Sequence, residues 1–255
     1  MKQHAIVTGA ASGIGAECCL DLASRGWVVH GIDVAEAGLQ EVATRCSTKG
    51  KFIPWTCDIS NSTSIHRVFA EISSITNQAH ALICSAGIIR SGPLMSMSEQ
   101  DFDDLFAINS KGAWLSSKAA LPLLEQSAAV GSTARIIFVT SMAALRPKVG
   151  GGAYAASKAA LGHLTRVLAV ELAPKGILVN AVAPTTVDTP MVRKLHADAA
   201  HNGYVVSGAS PLGRVAKPNE IVAVIRFLLS EDSGYINGAI LPVDGGTSAA
   251  FRPPS

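Results

Sequence analysis

Tyr154 and Lys158 stand four residues apart in Tyr154-Ala155-Ala156-Ser157-Lys158, a spacing that puts a phenol and an ammonium on one face of a helix. A free phenol ionises near pH ~10, and a neighbouring ammonium stabilises the phenolate and lowers that value. Such a phenol can exchange a proton with a substrate oxygen near neutral pH. The pair alone is generic, and it gains meaning from the run Thr8-Gly9-Ala10-Ala11-Ser12-Gly13-Ile14-Gly15. Gly9, Gly13 and Gly15 permit a tight turn and close approach of a pyrophosphate to backbone N–H groups. A helix opening near Gly13 adds a favourable dipole. A dinucleotide held beside a proton donor implies carbonyl–alcohol redox chemistry.

Three further polar residues extend this reading. Asp33 ends a strand-like run 18 residues after Gly15. A carboxylate there can accept hydrogen bonds from adenosine ribose hydroxyls and repels a 2′-phosphate. Positions 10–12 are Ala, Ala and Ser, and Val34 follows Asp33, so no cation is placed to bind that phosphate, and NAD is expected over NADP. Ser141 closes Ile137-Phe138-Val139-Thr140-Ser141, and its hydroxyl is in a position to bond a substrate oxygen. Asn109 lies in a helical pattern amid Phe106, Ile108 and Trp114. Asn is a poor helix former, so a buried network is the better reason for it. Asp58, in Cys57-Asp58-Ile59, is open to two readings: a partner for the adenine amino group, or a cap for the helix near Ser62, where Ser60 and Asn61 are better placed.

These residues need a scaffold, and the pattern supplies one. Strand-like runs cover His4–Thr8, Trp27–Asp33, Lys51–Cys57, Ala81–Ser85, Ala134–Thr140, Ile177–Ala183 and Ala239–Val243. Helical periodicity covers Gly13–Arg25, Glu36–Cys46, Ser62–Thr76, Glu99–Gln126, Ala153–Ala173 and Pro218–Ser230. Repeated βα units predict one α/β domain over residues 1–255, a Rossmann-type doubly wound parallel sheet of about seven strands with helices on both faces. Met142–Gly152 and Pro184–Pro211 break the rhythm. Both follow strand C-termini, where ligands bind in such sheets, and the segment at about 185–211 is a candidate substrate lid.

Composition bounds the alternatives. Of 255 residues, 48% are hydrophobic and 16% charged; the apolar residues fall in runs too short to span a membrane. A net charge of +2 without a basic block argues against nucleic acid as a partner. The cysteines at 18, 19, 46, 57 and 84 form no CxxC and read as small buried thiols in a reducing compartment. A first strand beginning by Ala5 leaves no room for a signal peptide, so a cytoplasmic protein is expected. No metal site is expected.

With these residues in view, the chain closely resembles the classical short-chain dehydrogenase/reductase family from Thr8 to Asp244-Gly245-Gly246. TGxxxGxG matches Thr8–Gly15, YxxxK matches Tyr154–Lys158, and Ser141 and Asn109 fall where the family keeps its other two catalytic positions. The resemblance implies that Tyr154 is the general acid/base, that Lys158 lowers its pKa and holds the nicotinamide ribose, and that Ser141 orients the substrate oxygen. Asn109 would anchor a water of a proton relay. It implies cofactor contacts from Gly9, Ser12, Gly13, Ile14, Gly15, Asp33, Asp58, Ile59, Ala86, Gly87, Pro184, Thr186, Val187 and Thr189 as well as Tyr154 and Lys158. Substrate contacts would come from Ser141, Met142, Ala143, Tyr154 and Thr185. A homotetramer is implied too, with the small residues Ala153, Ala156, Ala160 and Gly162 allowing close helix packing, between subunits or within one. Two departures stand out: the family's NNAG is Cys84-Ser85-Ala86-Gly87 here, and its PG is Pro184-Thr185. The first predicts altered hydrogen bonding beside the adenosine; the second resembles a variant in some sugar- and polyol-type members.

The leading expectation is therefore an NAD-dependent secondary-alcohol dehydrogenase acting on a small polyol, sugar or hydroxy acid. A 3-oxoacyl-thioester reductase is the alternative; it would more naturally use NADPH and keep a basic residue near positions 10–12 or 34. A catalytically idle NAD(H)-sensing protein is a third reading, against which the intact Tyr, Lys, Ser and Asn stand. The substrate pocket is expected to include Leu145, Arg90 and Met95 alongside the lid. Arg146 and Lys148, flanking Pro147, would recognise an anionic or hydroxyl-rich substrate or else stay solvated. A short C-terminal tail from about 247, including Phe251, would reach a neighbouring subunit or fray.

Overall fold

Seven strands form one parallel sheet in the order β3-β2-β1-β4-β5-β6-β7. They are β1 (His4–Thr8), β2 (Val28–Asp33), β3 (Lys51–Thr56), β4 (Ala81–Cys84), β5 (Ala134–Val139), β6 (Ile177–Pro184) and β7 (Ile240–Val243). The computed structural model describes residues 2–46, 50–129, 131, 133–202 and 208–249. Part of the expected lid, 203–207, and the tail from 250, with Phe251, lie outside the described residues. The central strands are apolar throughout, with all six residues of β5 buried, as a sheet covered on both faces requires.

The helices are α1 (Gly13–Ser24), α2 (Glu36–Arg45), α3 (Ser62–Ile75), α4 (Glu99–Phe106), α5 (Ala113–Ala129), α6 (Met142–Leu145), α7 (Gly152–Leu172), α8 (Pro190–Asn202) and α9 (Pro218–Leu229). One core joins α3, α5 and α7 to the sheet through Ile65, Val68, Phe69, Ile72, Leu124 and Leu161. The other joins α1, α2 and α9 through Leu22, Leu39, Val42, Ile221 and Ile225. The apolar stripe of α3 is buried to 4% exposure or less at Ile65, Val68, Phe69 and Ile72. Each such side chain contributes roughly 1.5–3 kcal/mol by leaving water. Asn61 starts that helix by accepting the Ser64 N–H at 3.0 Å.

The chain order reverses between β1 and β4, which pair in parallel with Thr8 opposite Cys84. The crevice outside the carboxyl ends of strands at such a switch point is where open α/β sheets bind ligands. Three segments differ from the sequence expectation. The helix expected over Glu99–Gln126 is interrupted by a π-helical segment, Ala107–Gly112. The irregular stretches after β5 and β6 each contain a helix, the single turn α6 and the longer α8. The Ser141 side chain caps α6 by accepting the Ala143 N–H at 3.1 Å. Pro190 opens α8 where its missing N–H costs nothing, and Thr189 Oγ1 accepts the Val192 N–H at 3.3 Å. Among the described residues no helix is long and apolar enough to cross a membrane.

Candidate active site

The first βα turn is built by backbone proximity. Gly9 has φ +73°, and a Cβ there would sit 2.6 Å from the Ala86 nitrogen. A Cβ at Gly15 would meet the Gly9 carbonyl oxygen at 2.1 Å. Gly15 therefore lets α1 seat closely on the strand end and does not itself line the cavity in front of the turn. Ser12, the first flanking residue of α1, makes no side-chain cap. The N-terminal N–H groups of this twelve-residue helix thus face the cavity with their dipole, the arrangement that holds a pyrophosphate.

That cavity, of about 320 Å³, runs across the switch point. Gly9, Ser12, Gly13, Ile14, Asp33, Asp58, Ile59, Ala86 and Gly87 line it, with Tyr154, Lys158, Pro184, Thr185, Val187 and Thr189 also in its wall. Thr186 faces a second cavity instead, its backbone carbonyl accepting the Ala216 N–H at 3.0 Å. The Asp33 carboxylate is aimed by two backbone donors, Ala11 N–H at 3.1 Å and Ala35 N–H at 3.0 Å. Asp58 accepts from the backbone and hydroxyl of Ser60 at 2.8 and 2.7 Å. It therefore orders its own loop in the cavity wall, while Asn61 serves as the helix cap.

The departure at Cys84-Ser85 is absorbed locally. Cys84 is buried, its thiol directed at the Ala113 carbonyl oxygen at 3.8 Å, and burial pushes its pKa up to about 12. Thr8 Oγ1 accepts the Ala86 N–H at 3.4 Å and its carbonyl accepts the Ser85 N–H at 3.2 Å. Cys18, Cys19 and Cys57 are likewise buried and free, and Cys46 is half-buried and free. Burial raises the pKa of each of these thiols.

At the chemical end, α7 delivers Tyr154 and Lys158 together. Lys158 is only 4% exposed, and its Nζ donates to the Val139 carbonyl oxygen at 2.9 Å. Desolvation brings its pKa down to about 8, partly opposed by the Cys84 thiol. Ser141 spends one oxygen lone pair on the α6 cap and retains its hydroxyl proton for donation. Tyr154 and Ser141 line both cavities, so the phenol and the hydroxyl stand at the junction of the two.

Asn109 is fully buried in the π-helical segment. Its Oδ1 accepts the Ile88 N–H at 2.8 Å, and its Nδ2 donates to the Ile88 carbonyl and to Ser157 Oγ, both at 3.0 Å. Both amide protons are thereby used, so any relay water would meet the remaining oxygen lone pair or the main-chain carbonyl. Ser157, which the sequence reading passed over, ties Asn109 to α7 by donating to the Tyr154 carbonyl at 2.8 Å. Its position inside the Tyr154–Lys158 spacing, on the buried side of the helix, was the available signal.

The second cavity, about 470 Å³, is bounded by Ser141, Met142, Ala143, Tyr154 and Thr185, the five residues that the resemblance groups as substrate contacts. Three expected members are absent from it. Leu145 is 45% exposed and Met95 is 97% exposed, both outside either cavity. Arg90 pairs with Asp101 at 3.2 Å on the surface. The loop after β4 lines the two cavities only as far as Ile89, which leaves Arg90 and Met95 beyond them, and Leu145 at the end of α6 is exposed. Ile89, Pro147 and Thr247 stand in their place, alongside Arg146 and Lys148 and the lid residues Met191, Val192 and Leu195, which α8 brings in. Among the small residues of α7, Ala153 and Gly162 are buried within the subunit, Gly162 against Ile240, while Ala156 is exposed and Ala160 half-buried.

A family model described as enoyl-(acyl carrier protein) reductase matches residues 9–248. The chain is 35% identical to the (3R)-3-hydroxyacyl-CoA dehydrogenase of Mus musculus, covering 95% of each protein. It is 36% identical to the cis-4-hydroxycyclohexanecarboxylate dehydrogenase of Sinomonas cyclohexanicum, covering 97% of each. The fold is similar to that of a 3-ketoacyl-(acyl-carrier-protein) reductase from Brucella melitensis solved with NADH. The TM-score is 0.86 at 27% identity, over 96% of this chain and 98% of that one.

Proposed function

The chain belongs to the short-chain dehydrogenase/reductase family, and on that premise we propose that it is an NAD-dependent dehydrogenase interconverting a small secondary alcohol and its ketone. As a member it is a nicotinamide-dependent oxidoreductase acting on CH–OH groups. The observation that carries the finer reading is one continuous crevice with Asp33 in the wall of its nucleotide side, and Tyr154 and Ser141 where it meets the second cavity.

The residues present fit the cofactor. The glycine turn and the uncapped N-terminus of α1 would hold the pyrophosphate, Asp33 the adenosine ribose hydroxyls, and Lys158 the nicotinamide ribose, with Pro184, Val187 and Thr189 beside the nicotinamide; Thr186, in the wall of the other cavity, is not among them. When bound, that group supplies the hydride acceptor or donor. The protein's own part is the proton. On oxidation the carbinol oxygen gives its proton to the Tyr154 phenolate, and on reduction the phenol returns it. The Ser141 hydroxyl donates to the substrate oxygen and keeps it beside Tyr154. The Lys158 ammonium, raised in effect by a low-dielectric setting, favours the phenolate over the phenol. Asn109 and Ser157 hold the turn of α7 that carries Tyr154. We further propose a homotetramer, with the exposed Ala156 on the outer side of α7, and a cytoplasmic setting, supported by the free buried thiols.

The test is formation of reduced nicotinamide, followed by absorbance, with NAD⁺ or NADP⁺ and a panel of polyols, sugars and hydroxy acids. Turnover with NAD⁺ and one alcohol class is expected. Turnover confined to NADP⁺, or NADH binding without any turnover, would overturn the proposal. A second reading, a 3-oxoacyl-thioester reductase, is favoured by the names of two relatives, the hydroxyacyl-CoA dehydrogenase and the ketoacyl reductase. The NADH in the latter removes the cofactor objection raised above. A strong preference for a 3-hydroxyacyl thioester over every free alcohol would favour that reading.

A further inference from the structure

The second cavity has a chemical asymmetry. It contains the Ser141 hydroxyl and the Tyr154 phenol, where a carbinol would react, and it also contains Arg146 and Lys148. The rest of the lining is mainly apolar, with Ile89, Met142, Pro147, Met191, Val192 and Leu195, and also holds Thr185, Thr186 and Thr247. No Asp or Glu is found among the described residues that line it. The two cations differ in setting: Arg146 is exposed and Lys148 half-buried, and charge interactions at the less solvated Lys148 are stronger than in bulk water.

The cations are positioned by structure. Arg146 closes α6, its N–H donating to the Met142 carbonyl at 2.8 Å, so its backbone stands roughly one helical turn, about 5 Å, beyond Ser141–Met142. Its guanidinium reaches the Thr247 carbonyl oxygen at 3.4 Å. Thr247 is itself held by the turn in which Asp244 accepts the Gly246 and Ser248 N–H groups at 2.9 and 2.8 Å. The Lys148 carbonyl accepts the Gly151 N–H at 3.0 Å, just before α7. Lys148 is half-buried, and burial holds its pKa below the usual lysine range.

Resting on the function proposed above, we propose that Arg146 and Lys148 form an anion subsite, and that the substrate is a small hydroxy acid or oxo acid. Its carbinol carbon lies at Tyr154 and Ser141, and its carboxylate is held by the two cations a few bonds away. A carboxylate suits this arrangement because the planar guanidinium offers it paired donors. The mainly apolar lining accommodates a short hydrocarbon spacer, open-chain or cyclic. A polyol or sugar would leave that wall in contact with hydroxyls.

The first test needs no turnover. Calorimetry on the NADH-loaded protein compares cyclohexanecarboxylate with cyclohexanecarboxamide, shapes that differ mainly in charge. The acid is expected to bind roughly 10–100-fold more tightly, the range of a hydrogen-bonded charge interaction. Arg146→Gln and Lys148→Gln should each reduce that ratio. Arg90→Gln, which touches neither cavity, serves as the control and should leave it unchanged. Equal binding of acid and amide by the wild-type protein, or a ratio unmoved by Arg146→Gln and Lys148→Gln together, would overturn the inference.

Turnover then separates the two proposals. Reduced nicotinamide is followed with 3-hydroxybutyrate, 4-hydroxycyclohexanecarboxylate, their carboxamides, cyclohexanol and 3-hydroxybutyryl-CoA. Higher kcat/KM for the acids than for their amides, lost in Arg146→Gln mainly through KM, supports the subsite. Oxidation of cyclohexanol and the amides at least as well as the acids would sink the subsite and leave the dehydrogenase reading standing. Preference for the CoA ester, falling in Arg146→Gln, would assign the cations to the phosphates of a thioester and overturn the small-acid assignment. Carboxylate binding with no oxidation of any alcohol would retain the anion subsite and overturn the dehydrogenase reading.

Discussion

Lys158 Nζ donates a 2.9 Å hydrogen bond to the carbonyl oxygen of Val139, which fastens α7 to the carboxyl end of β5. The same ammonium lies beneath Gly87, where an added Cβ would come within 3.2 Å of it and within 3.0 Å of Asn109 Oδ1. The ends of two strands, β4 and β5, and two helical segments, α7 and Ala107–Gly112, thus converge on a single buried cation, and its protonation is tied to the stability of the fold.

The pKa of Lys158 is about 8 in the folded protein, lowered by desolvation. Between pH 8 and the ordinary lysine value of about 10.4, the unfolded chain keeps a proton that the folded chain has lost. The unfolded state then binds more protons, so this group's contribution to stability rises with pH through that window. Below pH 8 the whole cost of burying the charge is present. In the cofactor-free protein, Lys158→Met should be favoured over the wild type at pH 7 by up to about 3 kcal/mol more than at pH 10.5. Urea unfolding of both proteins at the two pH values measures this, and a pH-independent difference would contradict it.

Tyr154→Phe removes the phenolic hydroxyl and keeps the ring. Turnover should fall by roughly 10²–10⁴-fold, the usual range for loss of a positioned acid/base. NADH binding, followed by fluorescence, should persist. Normal turnover in this variant would exclude Tyr154 as the proton carrier.

Asp33→Ala should weaken the preference for NAD over NADP. Loss of charge-assisted hydrogen bonds to the ribose and relief of repulsion toward a 2′-phosphate should lower the NAD/NADP ratio of kcat/KM by roughly 10–100-fold. The carboxylate also accepts the Ala11 and Ala35 N–H groups, so some loss of affinity for both cofactors is expected. An unchanged ratio would show that another residue discriminates.

Asn109→Ala leaves the N–H and carbonyl of Ile88 without their side-chain partner and frees Ser157 Oγ on one side. Stranding buried polar groups costs about 1–3 kcal/mol, measurable as a lowered Tm or denaturant midpoint. Turnover should fall too, because the loop after β4 and the first turn of α7 lose their common anchor. Full stability in this variant would mean that the Ile88 loop is held by other contacts.

Much of the molecule was legible in the residues themselves. The alternation of strand and helix patterns is local, so seven strands and the main helices fell within a residue or two of their places, apart from the helix expected over Glu99–Gln126, which is interrupted and runs on to Ala129. The glycine turn was legible because only glycine tolerates a backbone approach such as that of Gly9 to Ala86. Tyr154 and Lys158 were legible because helical geometry alone sets the direction of residues four apart. Asp33 followed from its place at a strand end.

What remained for the tertiary structure was contact between segments distant in the chain. Asn109 meets Ile88 across 21 residues and Ser157 across 48, and no local pattern specifies either partner. The π-helical segment that turns Asn109 inward, and the helices α6 and α8 within stretches that read as irregular, also depend on packing. The second cavity shows the difference most clearly. Sequence placed Leu145, Arg90 and Met95 in it, whereas the path of the chain turns them to solvent and brings in Ile89 and Thr247. Residue types and short spacings determine the chemistry on offer, because they act within a turn or a strand. Which side chains surround the substrate is decided by how distant segments close over the sheet, because that closure depends on the packing of the whole fold.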